Sequence, residues 1–239
     1  MRSREPTSDF LQRSQEVEIM DDLQCSGEVV HQTLRELEFI NKWLGGNAIT
    51  LEGVRQLIRG HKNRTITIAD LGCGSGDILR LLANWGRKNN IPMRFTGIDA
   101  NPHIIAFARK HSEAYPEIYF ESLDIFSPDF QQRQFDIILG TLFYHHFQSE
   151  VLIEFFSKLK TQALIGWVIN DLHRHWFAFH SIRLFTKYFS KSSMVQYDAP
   201  LSVLRAFSRE ELEEILSKAG ILNYKLKWKW AFRWQVVAS

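Results

Sequence analysis

Apolar residues near the start of the chain recur at helical spacing. Val30, Leu34, Leu37, Ile40 and Leu44 fall three or four positions apart, sharing one face of a helix predicted over 29–43. Gly45 and Gly46 supply its stop, and a second short helix follows over 51–58, so residues 1–60 read as a helical cap, either structural or a cover for a substrate. From Thr65 the pattern changes to short β-branched and apolar runs that alternate with helical ones. Strands are predicted over 65–71, 94–99, 118–120, 135–141 and 164–170, and helices around Leu79, Leu82 and Trp85 and over 102–110 and 151–159. That alternation specifies an α/β fold with a mostly parallel sheet covered on both faces. Ser208 and Glu211 form a capping box, Phe207 and Leu212 a hydrophobic staple, and Gly220 a stop, which marks a helix over 208–220. Beyond it Tyr224, Leu226, Trp228 and Trp230 alternate with Asn223, Lys225, Lys227 and Lys229, and 233–237 can pair back as an antiparallel hairpin with the lysines on its wet face.

Composition narrows the class without naming a partner. The 239 residues carry a 23% charged fraction and a formal net charge of +2, enough chain for one buried domain and too little excess charge to favour nucleic acid. Cys25 and Cys73 are the two cysteines, too few for a disulfide framework, and neither has zinc-type spacing, so no metal is expected. The opening Met1-Arg-Ser-Arg-Glu-Pro leads into charge rather than an apolar core, and no apolar run reaches the roughly 20 residues a bilayer span needs. The expectation is a cytoplasmic protein whose membrane contact, if any, is peripheral; its oligomeric state is left open.

The candidate chemistry begins where the first strand of the alternating region ends. Gly72-Cys73-Gly74-Ser75-Gly76 lies between a predicted strand and a predicted helix, where glycine lets the backbone turn sharply and approach a ligand. A nicotinamide fingerprint would place glycine at position 77, where this chain has Asp77. Asp70 suits a pyrophosphate poorly and a cofactor with sulfonium and ammonium groups well. Asp99 ends the second strand, 23 positions beyond Gly76, where it can accept from both ribose hydroxyls with Asn101 assisting. Asp124, after the third strand, can accept from an adenine amine while Ala100 or Ile125 packs on the base.

These residues are similar to those of the class I S-adenosylmethionine (SAM) methyltransferases of the seven-stranded, Rossmann-like type, a likeness that extends from about Thr65 to the C-terminus. The resemblance implies a three-layer fold with the terminal antiparallel hairpin, SAM as methyl donor and S-adenosylhomocysteine (SAH) as product. It also implies that Gly72, Gly74 and Gly76 border the methionine portion, Asp99 the ribose, Asp124 and Ile125 the adenine, and Gly140 and Thr141 the floor beneath the methyl donor. Residues 61–239 then form the methyltransferase core, with a lid-like insertion at about 171–207.

The fourth strand runs into Gly140-Thr-Leu-Phe-Tyr-His145-His146-Phe147, unlike the Asn/Asp-Pro-Pro-Tyr/Phe motif of enzymes that methylate base or glutamine amino groups. Ligands bind at the carboxyl edge of such sheets, so His145 or His146, with His146 preferred, can deprotonate a hydroxyl; capping or pocket lining is the plainer role. Asn170-Asp171-Leu-His173-Arg174-His175-Trp176 follows the fifth strand, and Asp171 or His173 can orient an acceptor. Trp176, Phe179, Ile182 and Phe185 or Thr186 form one helical face, with Arg183, Lys187 and Lys191 elsewhere, as in core packing, a substrate lid or a membrane-surface helix. The stretch from Asn170 and the segment from Asp198 to Phe207 also resemble bacterial methyltransferases associated with type III polyketide synthases. That likeness implies O-methylation of a small hydrophobic or phenolic acceptor. C- or N-methylation, a nicotinamide-dependent oxidoreductase and a catalytically silent SAM-fold subunit stand as alternatives.

Overall fold

The computed structural model describes residues 10–61 and 64–239; the opening residues read above as free of a leader lie outside these. In chain order the elements are α1 (Glu28–Trp43), α2 (Gly46–Leu57), β1 (Ile66–Leu71), α3 (Asp77–Lys88), β2 (Met93–Asp99), α4 (Pro102–His111) and β3 (Ile118–Ser122). There follow α5 (Pro128–Gln131), β4 (Phe135–Thr141), α6 (Ser149–Gln162), β5 (Ala163–Leu172), α7 (Trp176–Phe189), α8 (Ser193–Arg205), α9 (Arg209–Lys218), β6 (Tyr224–Lys229) and β7 (Arg233–Ala238). Short 3₁₀ turns occupy Ile19–Asp21 and Tyr144–His146.

The strands form one sheet in the order β3-β2-β1-β4-β5-β7-β6, parallel through β5 and antiparallel where β7 enters between β5 and β6. The order in which strands are added reverses between the parallel neighbours β1 and β4, so the carboxyl ends of those two strands flank the crevice in which open α/β sheets hold ligands. Two buried apolar clusters cover the two faces of the sheet. One joins Leu152, Phe156 and Leu159 of α6 and Leu212, Ile215 and Leu216 of α9 to Ile138, Trp167 and Val236; the other joins Val54 and Leu57 of α2 and Leu79 and Leu82 of α3 to Ile68, Phe95 and Ile137. The capping box of α9 is present, with Ser208 accepting from Glu211 N and Glu211 accepting from Ser208 N.

Several sequence expectations change in detail. Gly45 is left-handed and closes α1, whereas Gly46 opens α2, five residues earlier than periodicity indicated. It does so because α2 packs its small residues flat against the sheet: a side chain on Gly53 would come within 2.6 Å of Val168. The first helices are therefore partly a sheet layer, with α2 lying on β5 and β7. Strand β5 runs on to Leu172, so Asp171 is a strand residue and α7 and α8 fill 176–205. Lys225 and Lys227 are exposed as expected, while Lys229 turns to Glu52 (Nζ–Oε2 2.6 Å). No helix among the described residues is long and apolar enough to cross a membrane.

Candidate active site

At the carboxyl edge of the sheet a cavity of about 980 Å³ opens between the β1, β2 and β4 ends below and α1, α7, α8 and the segment 13–23 above. Asp70, Gly72, Cys73, Gly74, Asp99, Ala100, Asp124, Ile125, Thr141, His145 and His146 all line it. Gly76, Asn101, Gly140, Asp171 and His173 do not.

The glycines divide by what a side chain would meet. At Gly74 (φ +51°) a Cβ would face open cavity, its nearest neighbour Leu34 at 3.9 Å, so this is where backbone and ligand can touch. Gly72 is left-handed too, but a Cβ there would come within 2.1 Å of Phe143. Gly76 caps α3 beside Phe120, and Gly140 lies under the Tyr144 ring; both serve packing rather than ligand approach. Asn101 is the N-cap of α4, its Oδ1 accepting from His103 N and its Nδ2 donating to Cys25 O, which leaves it a structural role beside the site.

Three carboxylates converge on the cradle, with Arg80 and Arg233 acting on Asp77 only through space. Asp70 is 2% exposed and its Oδ1 has no hydrogen-bond partner among the described residues. Burial, with Asp77 and Asp99 nearby, pushes its carboxyl up to about 8. Burial likewise raises Asp77 and Asp99. Asp70 itself has only carboxylates acting on it, a setting that a sulfonium and an ammonium group suit better than a pyrophosphate. Asp99 accepts one backbone N–H on each oxygen, Asn101 N at 3.0 Å and Gly74 N at 3.4 Å, so each oxygen keeps a lone pair for a ribose hydroxyl. Asp124 stands at the exposed end, its Oδ1 accepting from Phe126 N, with Ile125 buried next to it. Thr141 shares a hydrogen bond with Thr50 of α2 (2.9 Å), which ties the β4 end to the first helices. The Cys73 thiol is buried and raised well above its ordinary range, which makes it inert packing.

The two adjacent histidines have different surroundings. His145 is 2% exposed, its Nδ1 2.6 Å from Asp171 Oδ1 and its Nε2 3.6 Å from Glu18 Oε1. Burial alone would lower it, but Asp171 and Glu18 outweigh burial and raise it to about 9, so at neutral pH it is an imidazolium held between two carboxylates. It has no basic nitrogen to offer. Asp171 also accepts the backbone N–H groups of Tyr144 and His145, so it shapes the turn and does not reach an acceptor. His146 is partly exposed to the cavity, with Nδ1 2.6 Å from Asp21 Oδ1. Arg205 locks that pair: Nη1 lies 2.6 Å from Asp21 Oδ2, and Nη2 donates to His146 O at 2.6 Å. His173 stands apart, accepting from Trp228 Nε1 and packing on Trp234, and burial lowers it to about 4. It is a hairpin contact and takes no part at the cavity. On α7, Phe177, Ala178, Ser181, Ile182 and Phe185 face the cavity while Trp176 is 57% exposed, so the inward face is rotated from the one expected.

Glu18, Asp21 and Arg205 were not legible as site residues, because nothing in a charged, aperiodic segment or one helix arginine marks them. One ligand atom each from Glu18, His145 and His146 lies within 4.8 Å of the others, close enough for a metal ion. Arg205 Nε sits 3.8 Å from the same Glu18 oxygen, and two carboxylates already neutralise His145, so the cluster balances its charge as an ion-pair network.

A family described as a methyltransferase domain matches residues 68–162, which span β1 to the end of α6. No curated protein matches the sequence. Among solved structures, human N-acetylserotonin methyltransferase in complex with SAM is 14% identical with a TM-score of 0.65, covering 98% of this chain and 62% of that one. The plantazolicin methyltransferase BpumL in complex with SAH is 16% identical with a TM-score of 0.62, covering 89% and 100%. The CMeT domain of the citrinin polyketide synthase is 16% identical with a TM-score of 0.55, covering 73% of this chain, which spans 46% of that structure's length.

Proposed function

We propose that this SAM-dependent methyltransferase of the class I fold O-methylates a small hydrophobic, phenolic acceptor, with His146 as the general base. The observation that carries the reading is the Arg205–Asp21–His146 chain, which ends in an imidazole at the cavity wall. When bound, SAM supplies an electrophilic methyl group on a sulfonium. Everything else falls to the protein. The anionic cradle of Asp70, Asp77 and Asp99 favours that cation, and Asp99 fixes the ribose. Apolar walls from α1, α7 and the 17–23 segment, including Leu37, Phe177, Ile182 and Phe185, hold an aromatic body and keep water out. Asp21 accepts the Nδ1 proton of His146, which directs the basic Nε2 lone pair away from Asp21 and suits it to take a phenolic proton.

Placement of the two reactants contributes on the order of 7–11 kcal/mol and a positioned base roughly 100- to 10,000-fold, so loss of the histidine weakens turnover without abolishing it. Mass spectrometry of cell extracts incubated with labelled SAM and the protein identifies the acceptor. With that acceptor, His146→Ala lowers kcat by about 100-fold or more, leaves SAH affinity unchanged and removes the fall in rate on the acidic side of the pH profile, where protonation silences a base. An unchanged rate and profile removes His146 from the mechanism, and a label on nitrogen or carbon overturns O-methylation.

A further inference from the structure

Arg233 opens β7 at the carboxyl edge of the sheet and contributes to the wall of the cavity. It is 2% exposed, yet its Nε and Nη1 have no hydrogen-bond partner among the described residues, and it forms no ion pair there. The nearby carboxylates, Asp171 and Asp77, act on it only through space, and burial lowers the guanidinium to about 10. Its other neighbours do not supply a negative charge. Its Cζ lies 2.8 Å from the position a Cβ on Gly46 would take, which puts it at the first residue of α2, the positive end of that helix. Asn41 Oδ1 reaches the same spot as a neutral acceptor, with its amide nitrogen already donating to Asn47 Oδ1. A buried cation beside a helix N-terminus, with unfilled donors and a wall of the cavity, is built for an anion.

We propose that Arg233 and the start of α2 form a carboxylate-binding subsite of the cavity, filled either by the amino-acid carboxylate of the methyl donor or by a carboxylate on the acceptor. Guanidinium matches a carboxylate in shape and charge, and a carboxylate at this wall of the cavity neutralises the buried cation. The subsite rests on the cavity being the donor and acceptor site proposed above.

Calorimetry separates the two sources. Arg233→Met keeps the bulk of the stem and removes the donors. If the donor's carboxylate fills the subsite, the variant binds SAH at least 10-fold more weakly and binds decarboxylated SAH as the wild type does. If the acceptor's carboxylate fills it, SAH binding is unchanged, and benzoate titrated into SAH-saturated protein distinguishes wild type from variant by at least 10-fold while benzamide does not. The subsite is overturned if neither SAH nor benzoate shows a carboxylate-dependent loss, or if SAH and its decarboxylated form weaken equally. Wild-type protein that binds neither SAH nor decarboxylated SAH overturns the reading of the cavity rather than that of Arg233. Should Arg233→Met not fold, the Nε–H resonance of Arg233 in the wild type decides: it shifts with SAH or benzoate and not with the matching decarboxylated or amide compound, and an unmoved resonance overturns the subsite.

Discussion

Asp70 is buried beside two other carboxylates, and its carboxyl is raised to about 8, so the ligand-free protein holds it largely protonated at neutral pH. An arriving ammonium favours the charged form and expels that proton. SAH binding near pH 7 therefore releases about one proton, read as a dependence of the calorimetric enthalpy on the buffer's ionisation enthalpy. Asp70→Asn abolishes the release and weakens SAH binding; release that persists in the variant assigns the proton elsewhere. The positions of Asp70, Gly74 and Asp99 at the cavity were legible because they punctuate strand ends within one stretch of sequence, whereas Gly76 and Gly140 carry the same signal and serve packing. Asp21 and His146 were not legible as a pair, since 125 positions separate them and only folding brings Asp21 from an aperiodic segment onto the histidine. His145 and His146 look equivalent in sequence; burial between Asp171 and Glu18 makes one a fixed cation and leaves the other at the cavity.

At the scale of elements, strands and amphipathic helices were legible wherever burial imposes a period. The α9 helix was clearest, since its capping box is a local device. The start of α2 was hidden because that helix meets the sheet through Gly46, Thr50 and Gly53, whose small size carries little hydropathy signal. Gly53 gives a test of that packing. In an open helix site Gly→Ala gains roughly 0.5–1 kcal/mol from propensity alone. Here the added methyl meets Val168 Cγ1 at 2.6 Å on the buried β5 strand, and overpacking of this kind costs about 1–3 kcal/mol, so the contact wins. Gly53→Ala lowers the denaturation midpoint, and adding Val168→Ala recovers part of the loss through non-additive coupling. A stabilising Gly53→Ala would show that α2 stands off the sheet. The inward face of α7 was misplaced for a related reason: Trp176, Phe179 and Phe185 are all apolar, and hydropathy does not separate a ring that lines a cavity from one that faces solvent.

For the molecule as a whole, the site sets the pH range in which the fold is most stable. Asp171 and Glu18 are held below the ordinary carboxylate range because His145 and its neighbours outweigh their burial, so their contribution is present above that range and lost as pH falls through it. His145 has the opposite sign. Its folded value of about 9 exceeds the ordinary 6.5, so its stabilisation is complete below 6.5 and is lost as pH rises through 9. Asp70 acts in the same direction, with stability declining from its ordinary 3.8 up through about 8, but only while no cation sits beside it. The His145 share is at most about 3 kcal/mol, or roughly 6–12 °C in melting temperature for a chain of this size. Ligand-free protein should therefore melt progressively lower between pH 6.5 and 9.5. Saturation with SAH removes the Asp70 share and makes the decline shallower, as Asp70→Asn does without ligand, while His145→Gln removes the share centred between 6.5 and 9. Melting temperatures that stay flat across this range in the ligand-free wild type would show that neither group is charged as its surroundings dictate. A decline equally steep with and without SAH would separate Asp70 from the ligand and leave the loss to His145 alone.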